Sequence, residues 1–371
     1  PYKKPALIPG KEYRLMLHAV LKKDELWAKA GHEVAWEELE LPWSLPCSSE
    51  EKAQGVPSYS LSEKELVVSG DGFKYVFNRT DGQLTSMVVQ DMELLESPLR
   101  LNLWRAPLAN ELDNWNASSA RSSNWKEGYE YTVATEMYSA GIDRLTHQPL
   151  SFSVSETTEG VHIHIIDAEL MGKGEKEKKD LYIEGVQNNG IINHYEYIIN
   201  SEGTIEIRHV LKPEGKMPLW FPRIGLTLTV SDALDQVKWY GRGPQENYPD
   251  RKTGYPTGIY ASTVQAMYEP YLMPQDYGLR TDVRWLQLTT DKGIGLQFKM
   301  NEWFNFNIYP YSTDNLTKAM YTYQLQKQKG MTLNLDYATT GVGCTARGVF
   351  GAYKAMPQEY RRTISIRPMM K

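Results

Sequence analysis

The chain has 371 residues, enough for two or three domains, or for one large all-β domain with an additional piece. Its 41 basic and 46 acidic residues give a net charge of −5, and no apolar run approaches the roughly 18 residues that span a bilayer, so we expect neither a nucleic-acid nor a membrane partner. Two cysteines exclude a disulfide-rich scaffold and a zinc site built on cysteine.

Aromatic residues and turn formers dominate the composition. The chain contains 24 Tyr and 10 Trp beside 28 Gly and 20 Pro. Aromatic side chains favour pleated, half-buried surfaces, and Gly and Pro punctuate turns. The composition therefore predicts a large antiparallel β protein, although it does not identify a ligand.

The first predicted elements are two strands, at residues 13–21 and 33–41. Two strands cannot bury a core by themselves, so either they pack on the main body or the rest of their small β-domain lies outside this sequence. The stretch that follows contains Pro, Ser and Glu and is typical of a linker. We therefore divide the chain into a partial β-domain (1–45), a linker (46–62) and one large β-domain (63–371).

Alternating apolar and polar residues predict strands throughout the large domain. Turns are predicted at Asp81-Gly82 and, within a hairpin, at 201–203. The predicted strands are 73–77, 84–89, 161–165, 193–200, 204–211, 225–230, 284–290, 294–300, 332–336 and 363–367. Helical periodicity is weak, and its best example is 315–328. The charged segment 172–180 predicts a solvated loop, with a docking patch as the alternative.

The densest group of polar side chains lies in the turn-rich segment 239–251. Arg242 and Arg251 are within reach of its carboxylates, with which they can form bidentate pairs. The functional interpretation is a loop that binds sugar or docks another domain, and the alternative is a loop whose ion pairs hold only its own shape. The candidate residues of this loop are Arg242, Gln245, Glu246, Asn247, Asp250 and Arg251.

Glu246 and Asp250 are the first pair to consider as glycosidase carboxylates. Retaining enzymes hold an acid and a nucleophile about 5–5.5 Å apart, and inverting enzymes hold their pair farther apart. Pro249 disfavours a helix here, so the sequence spacing defines no distance, and two flanking arginines favour the ionised form of both groups. We therefore do not expect catalysis by this pair.

A second dense segment spans residues 103–115. Trp104 can offer an indole face to a sugar, and the side chains of Arg105, Asn110 and Glu111 can hydrogen-bond sugar hydroxyl groups. The alternative is a strand-end loop in which Trp104 belongs to the core.

His162 and His164 lie two residues apart on a predicted strand, so both point to the same face. Such a pair can ligate a metal ion, but no third ligand stands at a telling spacing, and solvated or core-edge histidines are the simpler interpretation. The glycine turn at 341–344 lacks the helix and the acidic residue of a dinucleotide site. We therefore predict no metal and no cofactor site in this chain.

Eleven residues of the polar loop resemble the signature of the last domain of large bacterial β-galactosidases, glycoside hydrolase family 2. They are Gly-Arg-Gly-Pro-Gln-Glu-Asn-Tyr-Pro-Asp-Arg at 241–251. Other segments resemble the family in the same order along the chain, at 27–36, 104–108, 223–226 and 268–278. The resemblance therefore covers nearly the whole sequence.

The resemblance implies a large antiparallel β-sandwich similar to the galactose mutarotase fold, preceded by the end of an immunoglobulin-like domain. It implies that the catalytic glutamates lie in a TIM barrel that is absent from this sequence. The sequence would then be the C-terminal part of a longer enzyme. That enzyme would be a homo-oligomer that hydrolyses terminal β-D-galactosides. That enzyme family often uses Mg²⁺ with Na⁺ or K⁺, at sites mainly in the barrel. The compartment, cytoplasmic or periplasmic, stays open.

Three stretches of the chain bear on the rim of the implied active site. Arg223 and Gly225 match a mobile segment of the family, in which Gly225 would act as a hinge. A Gly-rich loop that carries a sugar-contacting Trp in some members aligns with 341–348, where this sequence has no Trp, and Ala109 replaces a family Asp.

The resemblance thus predicts the non-catalytic C-terminal region of a β-galactosidase, which packs on the barrel and contributes to the active-site rim and to carbohydrate binding. Two alternatives stay open. One is a free-standing carbohydrate-binding module. The other is a mutarotase-like sugar epimerase, which requires a histidine and a carboxylate in one cleft.

Overall fold

A computed structural model of the chain describes residues 4–46, 55–112, 137, 140–172, 189–344 and 348–370. The chain divides into two compact units, Pro1–Ala53 and Gln54–Lys371. Apart from Gly172, the charged segment predicted at 172–180 lies outside the described residues. No helix among the described residues is long and apolar enough to cross a membrane.

Strands dominate both units. They are, in chain order, β1 (Tyr13–Val20), β2 (Glu33–Leu41), β3 (Ser58–Leu61), β4 (Glu65–Gly70), β5 (Phe73–Asn78), β6 (Gln83–Val89), β7 (Met92–Glu93), β8 (Leu95–Asn102), β9 (Thr146–Thr157), β10 (Gly160–Leu170), β11 (Gly190–Ile199), β12 (Ile205–Glu214), β13 (Arg223–Val230), β14 (Gln236–Arg242), β15 (Thr257–Thr263), β16 (Arg280–Thr289), β17 (Gly295–Tyr309), β18 (Met331–Thr339) and β19 (Tyr360–Met369). Short α-helices are α1 (Ala109–Leu112) and α2 (Thr313–Lys318), and 3₁₀ turns occupy Gln265–Met267, Thr322–Gln324 and Gly351–Tyr353.

The all-β prediction is confirmed, and each strand predicted from alternation overlaps an observed one. The helix predicted at 315–328 is wrong in extent. Ser312 caps α2 by accepting a hydrogen bond from the Asn315 amide, but the backbone becomes extended at Ala319, so the helix ends after six residues.

In the first unit, β1 and β2 pair antiparallel in the register Tyr13↔Leu41 to Ala19↔Ala35. Most of their side chains are exposed or half-buried, Leu17 and Leu39 among them. The hairpin therefore behaves as expected of two strands, which bury little surface between them.

The second unit contains two antiparallel sheets. The small sheet has the order β3-β4-β5-β6-β7, and the large sheet follows the path β15-β14-β16-β17-β19-β12-β11-β10-β9. Three further strands, β8, β13 and β18, join the large sheet through the pairing of β18 with β17. Alternation along β5 buries Phe73, Tyr75 and Phe77 in one continuous core with the inward residues of β10, such as Ile163.

The long strand β17 changes partners halfway along its length. Its first half pairs with β19, from Gly295↔Met369 to Met300↔Ile364. Its second half pairs with β18, from Asn305↔Asp336 to Tyr309↔Thr332. Residues 301–303, between the two halves, are exposed, so the sheet opens at this point.

An ion pair at β9 links the turn between β5 and β6 to the large sheet. The His147 Nδ1 atom lies 2.9 Å from a Glu169 carboxylate oxygen, and its Nε2 atom lies 2.7 Å from the Asp81 carbonyl oxygen. The hydrogen bond to Glu169 outweighs burial and raises the pKa of His147 from 6.5 to about 9. The imidazolium is therefore the form that the folded protein favours at neutral pH.

We expect this ion pair to make stability depend on pH. A histidine whose pKa rises on folding contributes fully below pH 6.5, and the contribution disappears as the pH rises through about 9. The two pKa values limit it to about 3 kcal/mol. Urea unfolding of the chain at pH 6 and pH 9.5 should show a larger loss of stability for wild type than for His147→Gln. Parallel losses in both proteins would contradict the prediction.

Candidate functional site

Arg105 organises the loop between β8 and α1. Its side chain is fully buried. The Nη2 group donates to the Glu111 carboxylate at 2.6 Å and to the Gly341 carbonyl at 3.0 Å, and Nη1 donates to the Thr340 carbonyl at 2.6 Å. Glu111 in turn accepts a hydrogen bond from the Leu108 amide at 2.9 Å. The guanidinium therefore ties the β8–α1 loop to the segment that follows β18.

Asp250, at the end of the eleven-residue loop, holds the same segment from another side. Its carboxylate accepts hydrogen bonds from the amides of Val342 at 3.0 Å and Gly343 at 2.7 Å. A Cβ atom on Gly341 would lie 2.3 Å from the carboxylate carbon, so any larger residue there would displace the Asp250 side chain. The Asn110 side chain adds a hydrogen bond to the Val342 carbonyl at 3.0 Å. Two stretches distant in sequence, the β8–α1 loop and the eleven-residue loop, thus converge on residues 340–343, which we call the rim segment.

Glu246 lies inside the loop and is almost fully buried. One of its oxygens accepts hydrogen bonds from the Gly278 amide at 2.8 Å and the Tyr248 hydroxyl at 3.3 Å. The other accepts from the Tyr271 hydroxyl and lies 3.5 Å from Arg251 Nη2. Burial and this carboxylate together raise the pKa of Tyr271. Both Glu246 oxygens are therefore engaged by protein groups.

Asn247 and Arg242 complete the internal bonding of the loop. The Asn247 carboxamide accepts hydrogen bonds from the Thr281 amide at 3.1 Å and hydroxyl at 2.5 Å. The predicted partners of Arg242 are wrong, because its Nε atom donates to Asp282 at 2.7 Å. Burial alone would raise the pKa of Asp282, but hydrogen bonds from Lys252 and Arg242 lower it. Asp282 lies far from the loop in sequence, which is why the local pattern missed it.

Pro244, Gln245 and Arg251 are the exposed residues of the signature. The Arg251 guanidinium is half exposed and lies 5.4 Å from the centre of the Tyr248 ring. Trp104 is only 6% exposed, belongs to the main core and donates to the Thr317 hydroxyl at 3.2 Å. Its indole faces therefore pack against protein, as in the core alternative.

Arg223 lies beneath these loops in a fully buried polar group. It donates to Asp276 at 3.0 Å, and its Nε atom lies 3.6 Å from Asp336. Asn307 bridges the group, because its amide donates to Asp276 at 3.1 Å and its carbonyl oxygen accepts from Arg223 at 3.3 Å. Burial raises the pKa of Asp336 to about 6 and also raises that of Asp276, while the two carboxylates outweigh burial and raise the pKa of Arg223.

Gly225 lies within β13, where both neighbouring strands pair with it. A Cβ atom at this position would lie 2.3 Å from the Leu335 carbonyl oxygen and 2.6 Å from the Asp336 Cα atom. The register of β13 against β18 shifts here, which brings the two backbones together. The structure thus gives a packing reason for glycine at this position, whereas the hinge stays a prediction.

A cleft of about 590 Å³ opens where β17 changes partners. Trp303 is 46% exposed at this cleft, and the Arg284 guanidinium lies 3.7 Å from the centre of its ring. Glu302 pairs with Arg362 at 3.0 Å, and Asn301 accepts a hydrogen bond from the Thr363 amide at 2.9 Å. Sequence reasoning missed this cleft. One signal in the sequence could have revealed it. Every second residue from 296 to 308 is apolar except Glu302, which interrupts the pattern.

Together, the two sheets and the buried loops define a large antiparallel β-sandwich domain. The family model for the β-galactosidase small chain matches residues 69–366, and the model for domain 4 of β-galactosidase matches residues 1–42. The chain therefore belongs to the β-galactosidase small chain family, and the resemblance seen in the eleven-residue loop is confirmed.

Curated relatives agree with this assignment. The β-galactosidase of Priestia megaterium is 32% identical over 332 residues, which are 90% of this chain and 29% of the relative. The β-galactosidase of Vibrio cholerae is 28% identical over 338 residues, 91% of this chain and 30% of the relative. The chain thus spans about 30% of the length of the curated relatives that it matches.

Among solved structures, the chain is similar to an aldose epimerase homologue from C. elegans, with a TM-score of 0.40 and 10% identity, over 85% of this chain and 98% of the other. It is also similar to a galactose 1-epimerase from Lactobacillus acidophilus, with a TM-score of 0.38 and 10% identity, over 84% and 97% of the two chains.

Proposed function

We propose that this chain is the non-catalytic C-terminal region of a β-galactosidase that hydrolyses terminal β-D-galactosides. In this proposal the chain packs on a separate catalytic barrel and forms part of the active-site rim. The curated relatives support it, because about 70% of their length lies outside the matched region. That remainder would carry the catalytic glutamates and would be the partner of this chain.

The observation that carries the proposal is the construction of the rim segment. Asp250, Asn110 and Arg105 bind its backbone with five hydrogen bonds of 2.6 to 3.0 Å. Bonds to a charged group are stronger than neutral ones and hold a loop in one geometry. A loop held in one geometry allows the active-site rim to contact each bound sugar in the same position.

The carboxylates of the loop support a non-catalytic role. Glu246 and Asp250 both accept several hydrogen bonds from protein groups, so neither presents a free oxygen to a substrate. A glycosidase acid must instead be able to carry and release a proton next to the glycosidic oxygen.

The cleft at Trp303 favours a second candidate, carbohydrate binding by the chain itself. A partly exposed indole beside Asn and Glu side chains is typical of sugar sites. The described residues that line the cleft include Asp282 and Glu302 but no histidine, which counts against a mutarotase-like epimerase.

We expect the chain alone to release no nitrophenol from a nitrophenyl β-galactoside above the buffer rate. In the complete enzyme, Asp250→Ala should lower kcat/KM about 10- to 100-fold, because a displaced rim misplaces the substrate. Asp314→Ala, at an exposed pair on α2, is the matched control and should leave turnover unchanged.

Turnover by the chain alone, or full activity of the complete Asp250→Ala enzyme, would contradict the proposal. Calorimetric titration of galactose and lactose into the chain alone tests the second candidate. Heat that disappears in Trp303→Ala would assign binding to the cleft, and no heat in wild type would eliminate that candidate.

A further inference from the structure

Two histidines and a glutamate meet on the outer face of the large sheet, away from the rim segment. His162 and His164 share one face of β10, because side chains two residues apart in a strand point the same way. Glu196 on β11 lies directly opposite His164 in the antiparallel register. The third ligand that the sequence spacing did not reveal therefore comes from the neighbouring strand.

The distances within this group suit one metal ion. One potential ligand atom from each of the three side chains lies within 4.8 Å of the other two. His162 Nδ1 and Glu196 Oε1 are 3.2 Å apart. Two ligands of a tetrahedral zinc, each about 2.0–2.1 Å from the ion, lie about 3.3 Å apart. The exposed His164 side chain can then complete the group by rotating about its side-chain bonds.

Neighbouring side chains orient His162 and Glu196, the two candidate ligands that lie closest together. The Thr157 hydroxyl lies 2.8 Å from His162 Nε2, so an Nε2–H donor leaves the Nδ1 lone pair directed toward Glu196. Arg208 donates to the second Glu196 oxygen at 3.1 Å, which leaves the first oxygen directed toward His162. Metal-binding histidines and carboxylates in proteins are held by partners of this kind.

The His147 group is a contrasting case, in which a histidine and a carboxylate form an ion pair and do not form a metal site. His147, Asp167 and Glu169 also lie within the same distance of one another. However, the Asp81 carbonyl can only accept a hydrogen bond, so His147 Nε2 must carry a proton, and Glu169 faces the other nitrogen. Because the pKa of His147 is raised to about 9, its Nδ1 atom also carries a proton at neutral pH, and no lone pair of His147 is available for a metal ion there. In a neutral His162, whose Nε2–H donates to the Thr157 hydroxyl oxygen, the Nδ1 atom keeps its lone pair.

The charges around the site also favour a cation. Glu159, Glu196 and Glu206 all pair with the guanidinium of Arg208, so carboxylates outnumber the guanidinium in this group beside the site. Imidazole and carboxylate together suit zinc among the common divalent ions. We infer that His162, His164 and Glu196 form a binding site for one Zn²⁺ ion, with the solvent side left open for water.

The test uses the whole 371-residue chain in a Cys47→Ser, Cys344→Ser background, because either thiol could bind zinc by itself. After treatment with a chelator and dialysis, Zn²⁺ is titrated in competition with a chromophoric chelator. We expect one tightly bound ion per chain. His164→Ala and Glu196→Gln should each lower the affinity at least tenfold, and Thr157→Val should lower it about 10- to 100-fold through loss of orientation.

The control is His32→Ala, at an exposed histidine of the first unit, which should bind zinc as wild type does. Circular dichroism before the titration identifies any variant that does not fold, and Co²⁺ absorption bands then report the ligands of those that do. Zinc affinity unchanged by both His164→Ala and Glu196→Gln would overturn the inference. A wild-type chain that binds zinc no better than these two variants would overturn it as well.

Discussion

Replacement of Arg223 by Met should destabilise the large domain by about 3–5 kcal/mol, the usual cost of removing one partner from a buried ion pair. The two partner carboxylates, Asp276 and Asp336, are fully buried. Without the guanidinium they lose their counter-charge and must either take up protons or admit water. Since domains of this kind are stable by only about 5–15 kcal/mol, the loss is a large share of the total.

Urea unfolding followed by tryptophan fluorescence measures this effect. Lys318→Met is the matched control, because Lys318 pairs with Asp314 on the exposed surface of α2 and such pairs contribute about 0–1 kcal/mol. Addition of Asp276→Asn and Asp336→Asn to Arg223→Met should restore part of the stability, since neutral amides need no counter-charge. A loss below 1 kcal/mol for Arg223→Met would show that the buried group is not held by the ion pair.

Gly225→Ala should cost about 2–3 kcal/mol, in the range of core overpacking. The added methyl group would meet the Leu335 carbonyl oxygen at 2.3 Å, and this oxygen belongs to the backbone. Pairing of β13 with β8 on one side and β18 on the other leaves the strand little freedom to move away. The same substitution also tests the hinge prediction for Gly225.

Gly254→Ala is the control, because a methyl group there meets no atom within 4 Å. A lower urea midpoint for Gly225→Ala, with Gly254→Ala unchanged, would support the packing explanation. An unchanged midpoint for Gly225→Ala would contradict it. Slower turnover of the complete enzyme in that case would favour the hinge.

Local chemistry made part of the site predictable. The eleven-residue loop was recognised because its glycines, proline and charged residues form a dense pattern that a short stretch of sequence carries by itself. The strands of the large domain were predicted for the same reason, since alternation is a property of neighbouring residues. By contrast, the partner of Arg242 is Asp282, which alternation and spacing within the loop could not reveal.

The cleft at β17 illustrates the opposite case. Residues 296–308 alternate as one strand, and nothing in the alternation states that β19 pairs with the first half and β18 with the second. The opening at Trp303 arises only when these two strands, about thirty residues apart in sequence, lie beside the same strand. The placement of Glu196 opposite His164 has the same origin in strand register.

The sequence by itself determined the all-β class, the strand positions and the family, because periodicity and an uninterrupted loop are local properties. The tertiary structure alone decided that Trp104 is core, that Arg223 joins two buried carboxylates, and that Asp250 and Arg105 converge on the rim segment. The physical reason is that burial and charge pairing depend on which distant segments meet. Strand pairing across the whole chain determines those meetings, and it leaves no local trace in the sequence.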